Sequence, residues 1–213
     1  IQYYTFGKCN YLENITIPSS ITSIEDYAFY ECSSLTKIEI PNSVISVGKF
    51  AFCNCVSLKR LLISTSLNSI EYSTFRFCKS LIEISIPSSV KTIKECAIES
   101  CLSLTKIHIP SSVTSIEEFA FNDCRSLEQI QIPSSMTSIE SSVFMDCKSL
   151  TAISIPSSIK SIGQDAFKNC SSLVQIDIPS SVTSIGDYAF KGCSSLREMV
   201  IPLSVSYIGK FAF

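Results

Sequence analysis

The sequence lacks any apolar run long enough to cross a membrane and any excess of basic residues. Its 213 residues include 17 Lys and Arg against 19 Asp and Glu, for a net charge of −2. A membrane-spanning helix needs about 18 consecutive apolar residues, and a nucleic-acid-binding domain needs a basic face. We therefore expect no nucleic-acid partner and no direct membrane insertion by these residues. No signal peptide is visible at the amino terminus either.

The sequence also lacks the residue combinations that catalysis and cofactor binding require. It has one histidine, His108, no Cys-x-x-Cys pair, no Cys/His cluster and no glycine-rich phosphate loop. Zinc sites and nucleophile–base pairs need several such side chains close together. We expect no enzyme activity, no metal and no cofactor.

What the sequence does have is a repeat of 23 residues without insertion or deletion. The repeat is marked by nine cysteines, the ladder cysteines, each of which defines position 1 of a unit: Cys9, Cys32, Cys55, Cys78, Cys101, Cys124, Cys147, Cys170 and Cys193. A fixed period of this length is typical of a solenoid, in which each coil contacts only its neighbours.

Each unit predicts one coil with two short strands. The segment L-x-x-I-x-I over positions 4 to 9 alternates apolar and polar residues at its end, which favours a strand. Proline follows at position 10 in eight of nine units and ends that strand because it has no N–H to donate. The segment V-x-S-I predicts a second strand, and A-F-x-x predicts a tight or 3₁₀ turn. Positions 1, 4, 7, 9, 13, 16, 20 and 21 should point inward.

The third and fourth units depart most from the pattern. The third has Ser64 in place of proline, Thr74 in place of alanine and Leu62 at an outward strand position, and the fourth has Ile98 in place of phenylalanine and an additional cysteine, Cys96. Two interpretations remain open: neutral drift, or a bend or contact site in the array.

Eleven cysteines raise the question of disulfides. In a ladder the Cβ vectors run parallel along the stack, which is poor disulfide geometry. We expect the ladder cysteines to be buried, apolar packing groups. Cys53 and Cys96 lie off the ladder, about two coils apart, and are the thiols to test for reactivity.

The segment from Leu173 to Cys193, LVQIDIPSSVTSIGDYAFKGC, resembles the BspA-like (treponemal/bacteroidal-type) leucine-rich repeats. The resemblance covers essentially the whole chain. The commoner leucine-rich pattern has Asn or Cys eight residues after its first Leu, where this unit has Ser181. The resemblance implies a surface-exposed or secreted adhesion protein, a surface antigen without enzyme activity that binds proteins of a host cell or matrix, or copies of itself.

The fold expected from repeat and resemblance together is a leucine-rich-repeat arc of about nine coils, with a parallel sheet on one face and short strands and tight turns on the other. Residues 1–213 should form a single domain. Ile1 and Phe213 fall at positions 16 and 21, so the array looks truncated mid-repeat at both ends, as a fragment of a longer one would. Unpaired strand edges at those ends predict some end-to-end association.

A candidate protein-binding face is formed by positions 5, 6 and 8, which vary from coil to coil while the core positions stay nearly uniform. Solvated drift at exposed positions is the alternative. Serines at fixed positions, such as Ser115 and Ser184, are interpreted as turn formers and coil-to-coil hydrogen-bonding groups. The candidate face consists of Lys37, Glu39, Lys59, Arg60, Leu62, Glu83, Lys106, His108, Gln129, Gln131, Gln175, Asp177 and Arg197.

Two Asn-x-Ser/Thr sequons begin at Asn14 and Asn169. Asn14 is the candidate glycosylation site if the chain is secreted by a eukaryote, whereas the second sequon contains the ladder cysteine Cys170. The alternatives to an adhesion module are an intracellular leucine-rich-repeat scaffold and the targeting arm of an enzyme whose catalytic domain lies outside these residues.

Overall fold

The computed structural model describes residues 1–213 as a solenoid of sixteen short parallel strands without a helix. Seven strands of three residues form the main sheet and nine strands of two residues form the second ladder. The strands are β1 Ser23–Ile24, β2 Lys37–Glu39, β3 Ser46–Val47, β4 Arg60–Leu62, β5 Ser69–Ile70, β6 Glu83–Ser85, β7 Thr92–Ile93, β8 Lys106–His108, β9 Ser115–Ile116, β10 Gln129–Gln131, β11 Ser138–Ile139, β12 Ala152–Ser154, β13 Ser161–Ile162, β14 Gln175–Asp177, β15 Ser184–Ile185 and β16 Tyr207–Ile208. The solenoid predicted from the repeat is confirmed. No helix in the structure is long and apolar enough to cross a membrane.

The main-sheet strands expose their first and third residues and bury the middle one in every coil from β2 to β14. Single bridges, Asn14 to Lys37 and Gln175 to Glu198, continue the sheet into the first and ninth units. Neighbouring strands pair in parallel with a register shift of one whole unit, so equivalent positions lie side by side. The sheet therefore presents positions 6 and 8 to the solvent as straight columns.

One continuous core of 60 buried residues fills the coils. The eight inward positions predicted from the sequence are the ones buried, and in the second coil they are Cys32, Leu35, Ile38, Ile40, Val44, Val47, Ala51 and Phe52. The phenylalanines at position 21 stack along the axis, with ring centroids of Phe29 and Phe52 5.0 Å apart. Ile98 interrupts this stack between Phe75 and Phe121, because it has no ring to continue the series.

The A-F-x-x segment forms tight turns, but not a run of 3₁₀ helix. In the first coil, the amides of Ala28 and Tyr30 bond to carbonyls three residues earlier, while those of Tyr27 and Phe29 bond to the next coil. This alternation requires left-handed backbone at positions 19 and 23 throughout the chain, with φ of 59° at Tyr27 and 58° at Glu31. Such φ values are unfavourable for bulky side chains and persist here because two sets of hydrogen bonds hold the turn.

The serine hydroxyls that bond from coil to coil are not those of Ser115 and Ser184. Those two residues lie in β9 and β15, not in turns. Many of the bonding hydroxyls sit at position 12, as where Ser43 donates to the carbonyl of Ile21 at 2.7 Å and Ser181 to that of Ile159 at 2.7 Å, and others sit at position 2, as in Ser33 and Ser194. The prediction of coil-to-coil bonding was right in kind and wrong in position, because position 12 precedes the second strand and faces the preceding coil.

Strand pairing is broken on both sides of the third coil. In the main sheet β4 pairs with β2 but not with β6, and in the second ladder β3 pairs with β1 but not with β5. A further break in the second ladder lies between β9 and β11, in the fifth and sixth coils. The amide at position 5 bonds to the position 5 carbonyl of the preceding coil at seven of eight junctions. The exception is the amide of Ile82, which does not reach the carbonyl of Lys59.

Ser64 accounts for part of this irregularity. Its buried hydroxyl donates to the carbonyl of Val44 at 2.6 Å and accepts from the amide of Ser66 at 3.1 Å, contacts that proline cannot make. The turn bond from Leu67 to Ser64 lengthens to 3.4 Å, against 2.9 Å for the bond from Val44 to Pro41 in the second coil. Of the two interpretations of the third unit, a local change in the array is the one that the geometry favours.

Candidate functional site

The outward columns of the main sheet carry every residue of the candidate face. All thirteen side chains, from Lys37 to Arg197, are exposed. They lie on the main-sheet strands or next to them. Successive side chains of a strand point to opposite faces, so the residues on either side of the buried middle residue point outward. The sheet therefore brings together residues that lie up to 160 positions apart in sequence.

Three cations meet at one corner of this face. Lys37 and Arg60 are register partners on β2 and β4, and Lys59 precedes Arg60 in the chain. None of the three has a carboxylate within 4.0 Å, whereas Arg76, Lys94 and Lys168 elsewhere each form an ion pair. Like charges on adjacent strands are destabilising, so this corner is electrostatically unfavourable in the isolated chain.

Exposed apolar side chains adjoin the three cations. Leu62 is 62% exposed and Ile82 is 51% exposed, on the two coils whose strands fail to pair. These side chains border a groove of about 830 Å³ that crosses the first four coils on the main-sheet face. The walls of the groove include Lys37, Glu39, Lys59, Arg60, Leu62 and Ile82.

The other half of the face has a different character. Strands β10, β12 and β14 carry Gln129, Gln131, Ala152, Ser154, Gln175 and Asp177, with no cation among them. Its only exposed large apolar side chain within coils six to eight is Val174, at 47%. The sheet face is therefore polarised along the solenoid, from cationic and apolar to neutral and weakly acidic.

His108 ends β8 with an exposed side chain, beside Ser85 of β6. Nothing in its surroundings resembles a catalytic pair, and no group of three or more His, Cys, Asp or Glu side chains is arranged to hold a metal ion. The geometry supports the interpretation of His108 as a strand residue on the outer face.

All eleven cysteines are free thiols, and ten of them are buried. Burial raises the pKa of Cys53 to about 11 and that of Cys96 to about 12, since the charged thiolate is disfavoured away from water. Reactive cysteines are exposed and have depressed pKa values. The two cysteines off the ladder are therefore unreactive packing groups in the folded chain.

The opposite, turn-bearing face contains a buried polar contact near these cysteines. Arg76 Nε lies 2.7 Å from Glu99 Oε2, an ion pair without hydrogen-bond alignment, and Asn122 Nδ2 donates to Glu99 Oε1 at 3.1 Å. The Arg76 guanidinium also lies 4.6 Å from the centre of the Phe77 ring. Arg76 Nε, Glu99 Oε2 and Asn122 Oδ1 are buried without a hydrogen-bond partner, so the contact between these coils is only partly satisfied.

The model of the "BspA type Leucine rich repeat region (6 copies)" matches residues 1–128 and 114–213, which together span the whole chain. The chain belongs to the BspA-type leucine-rich repeat family. The resemblance stated from the LVQIDIPSSVTSIGDYAFKGC segment is thereby confirmed. No match is found among curated proteins.

Solved structures of bacterial BspA-type relatives share this solenoid. The "T. pallidum Leucine Rich Repeat protein (TpLRR)" is 26% identical with a TM-score of 0.67, over 84% of this chain and 72% of that chain. A "leucine rich cell surface protein" of Faecalibacterium prausnitzii A2-165 is 25% identical with a TM-score of 0.53, over 95% and 80%. The "Pneumococcal vaccine antigen PcpA" is 26% identical with a TM-score of 0.64, over 89% of this chain and 50% of that chain.

Sequence reasoning placed the thirteen residues on the exposed side of the main sheet but did not predict the groove among them. Ile82 was not among the predicted site residues, although an isoleucine at an outward position 5 was the available signal. The lost bond between Ile82 and Lys59 had no signal of its own in the sequence. Only the cluster of deviations in the third unit pointed to this junction.

Proposed function

We propose that this BspA-type solenoid is a non-enzymatic, protein-binding module that adheres to proteins of a host cell or matrix through its main-sheet face. The observation that carries the proposal is the division of each strand into a nearly uniform buried residue, isoleucine in six strands and Leu61 in β4, and variable exposed ones. A rigid sheet with straight columns of differing side chains suits recognition of an extended protein surface, because little ordering cost is added on binding.

The exposed position at the cell surface or in the secreted fraction belongs to the same proposal. It is supported by two relatives, since the Faecalibacterium protein is a cell surface protein and PcpA is a vaccine antigen. Antibodies against this chain should label intact, non-permeabilised cells of its source. Labelling that appears only after permeabilisation would contradict surface exposure and favour an intracellular scaffold.

The binding face is tested with a charge-removal variant and a matched control. The charge-removal variant lacks three exposed cations of the main-sheet columns, through the substitutions Lys59→Ala, Arg60→Ala and Lys106→Ala. The control Lys91→Ala, Lys160→Ala, Lys210→Ala removes three exposed cations from the remaining surface, none of which forms an ion pair. Both variants should melt as the parent does, because exposed side chains contribute little to stability.

The readout is binding of the purified chain to cultured cells and to immobilised extracellular-matrix proteins. We expect the main-sheet variant to bind at least about tenfold more weakly than the parent, because charged residues at the centre of an interface often contribute this much. The control should bind within about twofold of the parent. Equal loss in both variants would reflect net charge alone, and no loss in the main-sheet variant would place binding on another face.

Association between copies is a second part of the partner proposal. Strand β16 pairs with β15 only, and the last coil exposes Val200, Leu203 and Tyr207. An unpaired edge beside apolar side chains favours edge-to-edge contact. Sedimentation velocity of this chain at increasing concentration should show a rising fraction of dimer, and a constant monomer would exclude the contact.

A further inference from the structure

We propose that the groove across the first four coils of the main sheet binds an extended, acidic segment of a partner protein that also carries large apolar side chains. The inference rests on the proposed function, since it names the chemistry of the partner that the main-sheet face would take. Carboxylates of the segment face Lys37, Lys59 and Arg60, and its apolar side chains contact Leu62 and Ile82.

The cations argue for the acidic part. Lys37 and Arg60 occupy equivalent positions on the paired strands β2 and β4, whose backbones are about 4.8 Å apart. Lys59 precedes Arg60 in the chain. No carboxylate of the chain forms an ion pair with any of them. A local arrangement that opposes stability is expected at functional sites, and carboxylates of a bound partner would relieve the repulsion.

The apolar side chains argue for a protein segment and against a simple polyanion. Leu62 and Ile82 are the two large apolar residues most exposed on the main sheet between coils two and five. Glu39 is the register partner of Leu62, and Glu83 follows Ile82 on the next coil. A uniformly charged polyanion would gain nothing from the leucine and isoleucine, so the apolar side chains favour a segment that carries both kinds of residue.

The span of the groove argues for an extended segment. Its lining runs from Ile15 in the first coil to Glu83 in the fourth. A segment that contacts both Lys37 and Ile82 has to cross three coils, which are about 4.8 Å apart. The cations also determine where along the main sheet the acidic segment binds, because strands β10, β12 and β14 carry no cation.

The test uses three fluorescent twelve-residue peptides and the full chain. The first peptide repeats Glu-Glu-Leu, the second has Gln in place of Glu, and the third has Gly in place of Leu. Anisotropy titrations at fixed ionic strength should show binding of the first, with at least tenfold weaker binding of the other two. Equal binding of all three peptides, or no binding of the first, would overturn the proposal.

Variants locate the site. Lys59→Glu with Arg60→Glu should weaken the first peptide at least tenfold and create binding of a Lys-Lys-Leu peptide, whereas Lys91→Glu with Lys160→Glu should change neither by more than twofold. Leu62→Ser with Ile82→Ser should weaken the first peptide while leaving the salt dependence of the remaining binding unchanged. Heparin serves as the polyanion probe, and heparin binding that is stronger than peptide binding and indifferent to Leu62 and Ile82 would overturn the proposal.

The outcomes separate this inference from the proposed function. If the alanine variant of the main-sheet face loses cell and matrix binding while the acidic peptide fails to bind, the face is correct and the partner chemistry is wrong. If the peptide binds in the groove while cell and matrix binding is unaffected by the same variant, the groove is a peptide site and adhesion does not use the main-sheet face. Melting curves of each variant confirm that the fold is retained.

Discussion

The thiol of Cys101, the first residue of the fifth unit, donates a hydrogen bond of 3.3 Å to the carbonyl oxygen of Phe75, which lies 26 residues earlier in the turn of the third unit. The same bond recurs from Cys32 to Cys193 at 3.1 to 3.3 Å, in eight of the nine ladder cysteines. The ladder cysteines therefore fill the core and also provide a weak donor to a buried carbonyl.

Replacing a ladder cysteine should destabilise the chain more in the middle than at Cys9. We expect Cys101→Ala to lower the free energy of unfolding by about 1–3 kcal/mol, since it removes a buried sulfur and leaves the carbonyl of Phe75 with one donor fewer. Urea denaturation followed by circular dichroism measures the change.

The matched control is Cys9→Ala. Cys9 is only half-buried and donates no thiol hydrogen bond, so its replacement should cost less than half as much. Equal losses at the two positions would show that the thiol hydrogen bond and full burial contribute nothing measurable, and that the cysteines are interchangeable with alanine.

Stability should fall steeply at alkaline pH. Burial raises the pKa of Cys32 to about 11 and that of Cys124 to about 12, from 9.0 for an exposed thiol. Above pH 9 the unfolded chain loses thiol protons that the folded chain keeps, so the unfolded state is favoured as pH rises. The stabilisation is complete below pH 9 and is lost between about pH 9 and 12, by up to about 1.4 kcal/mol per thiol and pH unit.

Urea midpoints measured from pH 7 to 11 test this dependence. We expect a flat profile to about pH 9 and a falling one above it. The double variant Cys53→Ser, Cys96→Ser removes two buried thiols with raised pKa values and should make the fall shallower. A parent profile that stays flat to pH 11 would mean that the thiols ionise freely in the folded chain.

Most of the fold was predictable because every unit of the chain has the same pattern of buried and exposed residues. Alternation around Ile38 gives a strand, Pro41 ends it, and the 23-residue period forces equivalent residues into register. Each inference needed only local rules, and nine copies of the unit removed the ambiguity that a single copy would have had. The candidate face followed from the same alternation, since a buried middle residue exposes its neighbours.

The turns were less predictable because their backbone contradicts residue preference. Left-handed φ normally signals glycine or asparagine, yet Tyr27, Phe50 and Phe119 adopt it. Hydrogen bonds to the next coil impose this conformation, and they exist only once coils are stacked. The missing hydrogen bond between the amide of Ile82 and the carbonyl of Lys59 was unpredictable for the same reason, since it depends on how two coils stack.

The two sequons differ sharply in accessibility. Asn14 and Thr16 are both exposed, at the edge of the main sheet. Asn169 is half-buried, its Nδ2 donates to Asp146 Oδ1 at 3.2 Å, and the following Cys170 is fully buried. Oligosaccharide transfer requires a free asparagine amide in an accessible segment, so only the first sequon should be used.

Expression through a eukaryotic secretory pathway should therefore add one glycan, at Asn14. Intact-mass measurement before and after enzymatic removal of the glycan should show a single shift, which is abolished by Asn14→Gln and unchanged by Asn169→Gln. A second shift that disappears in Asn169→Gln would mean that the coil around Asn169 is open when the sugar is transferred.

Glycosylation at Asn14 also bears on the proposed groove. Ile15 and Thr16 of the same sequon line the groove that Lys37 and Leu62 border. A glycan at Asn14 would occupy space beside that groove, so we expect the glycosylated chain to bind the Glu-Glu-Leu peptide at least tenfold more weakly than Asn14→Gln from the same cells. Equal binding of the two forms would place the glycan, the peptide or both away from the groove.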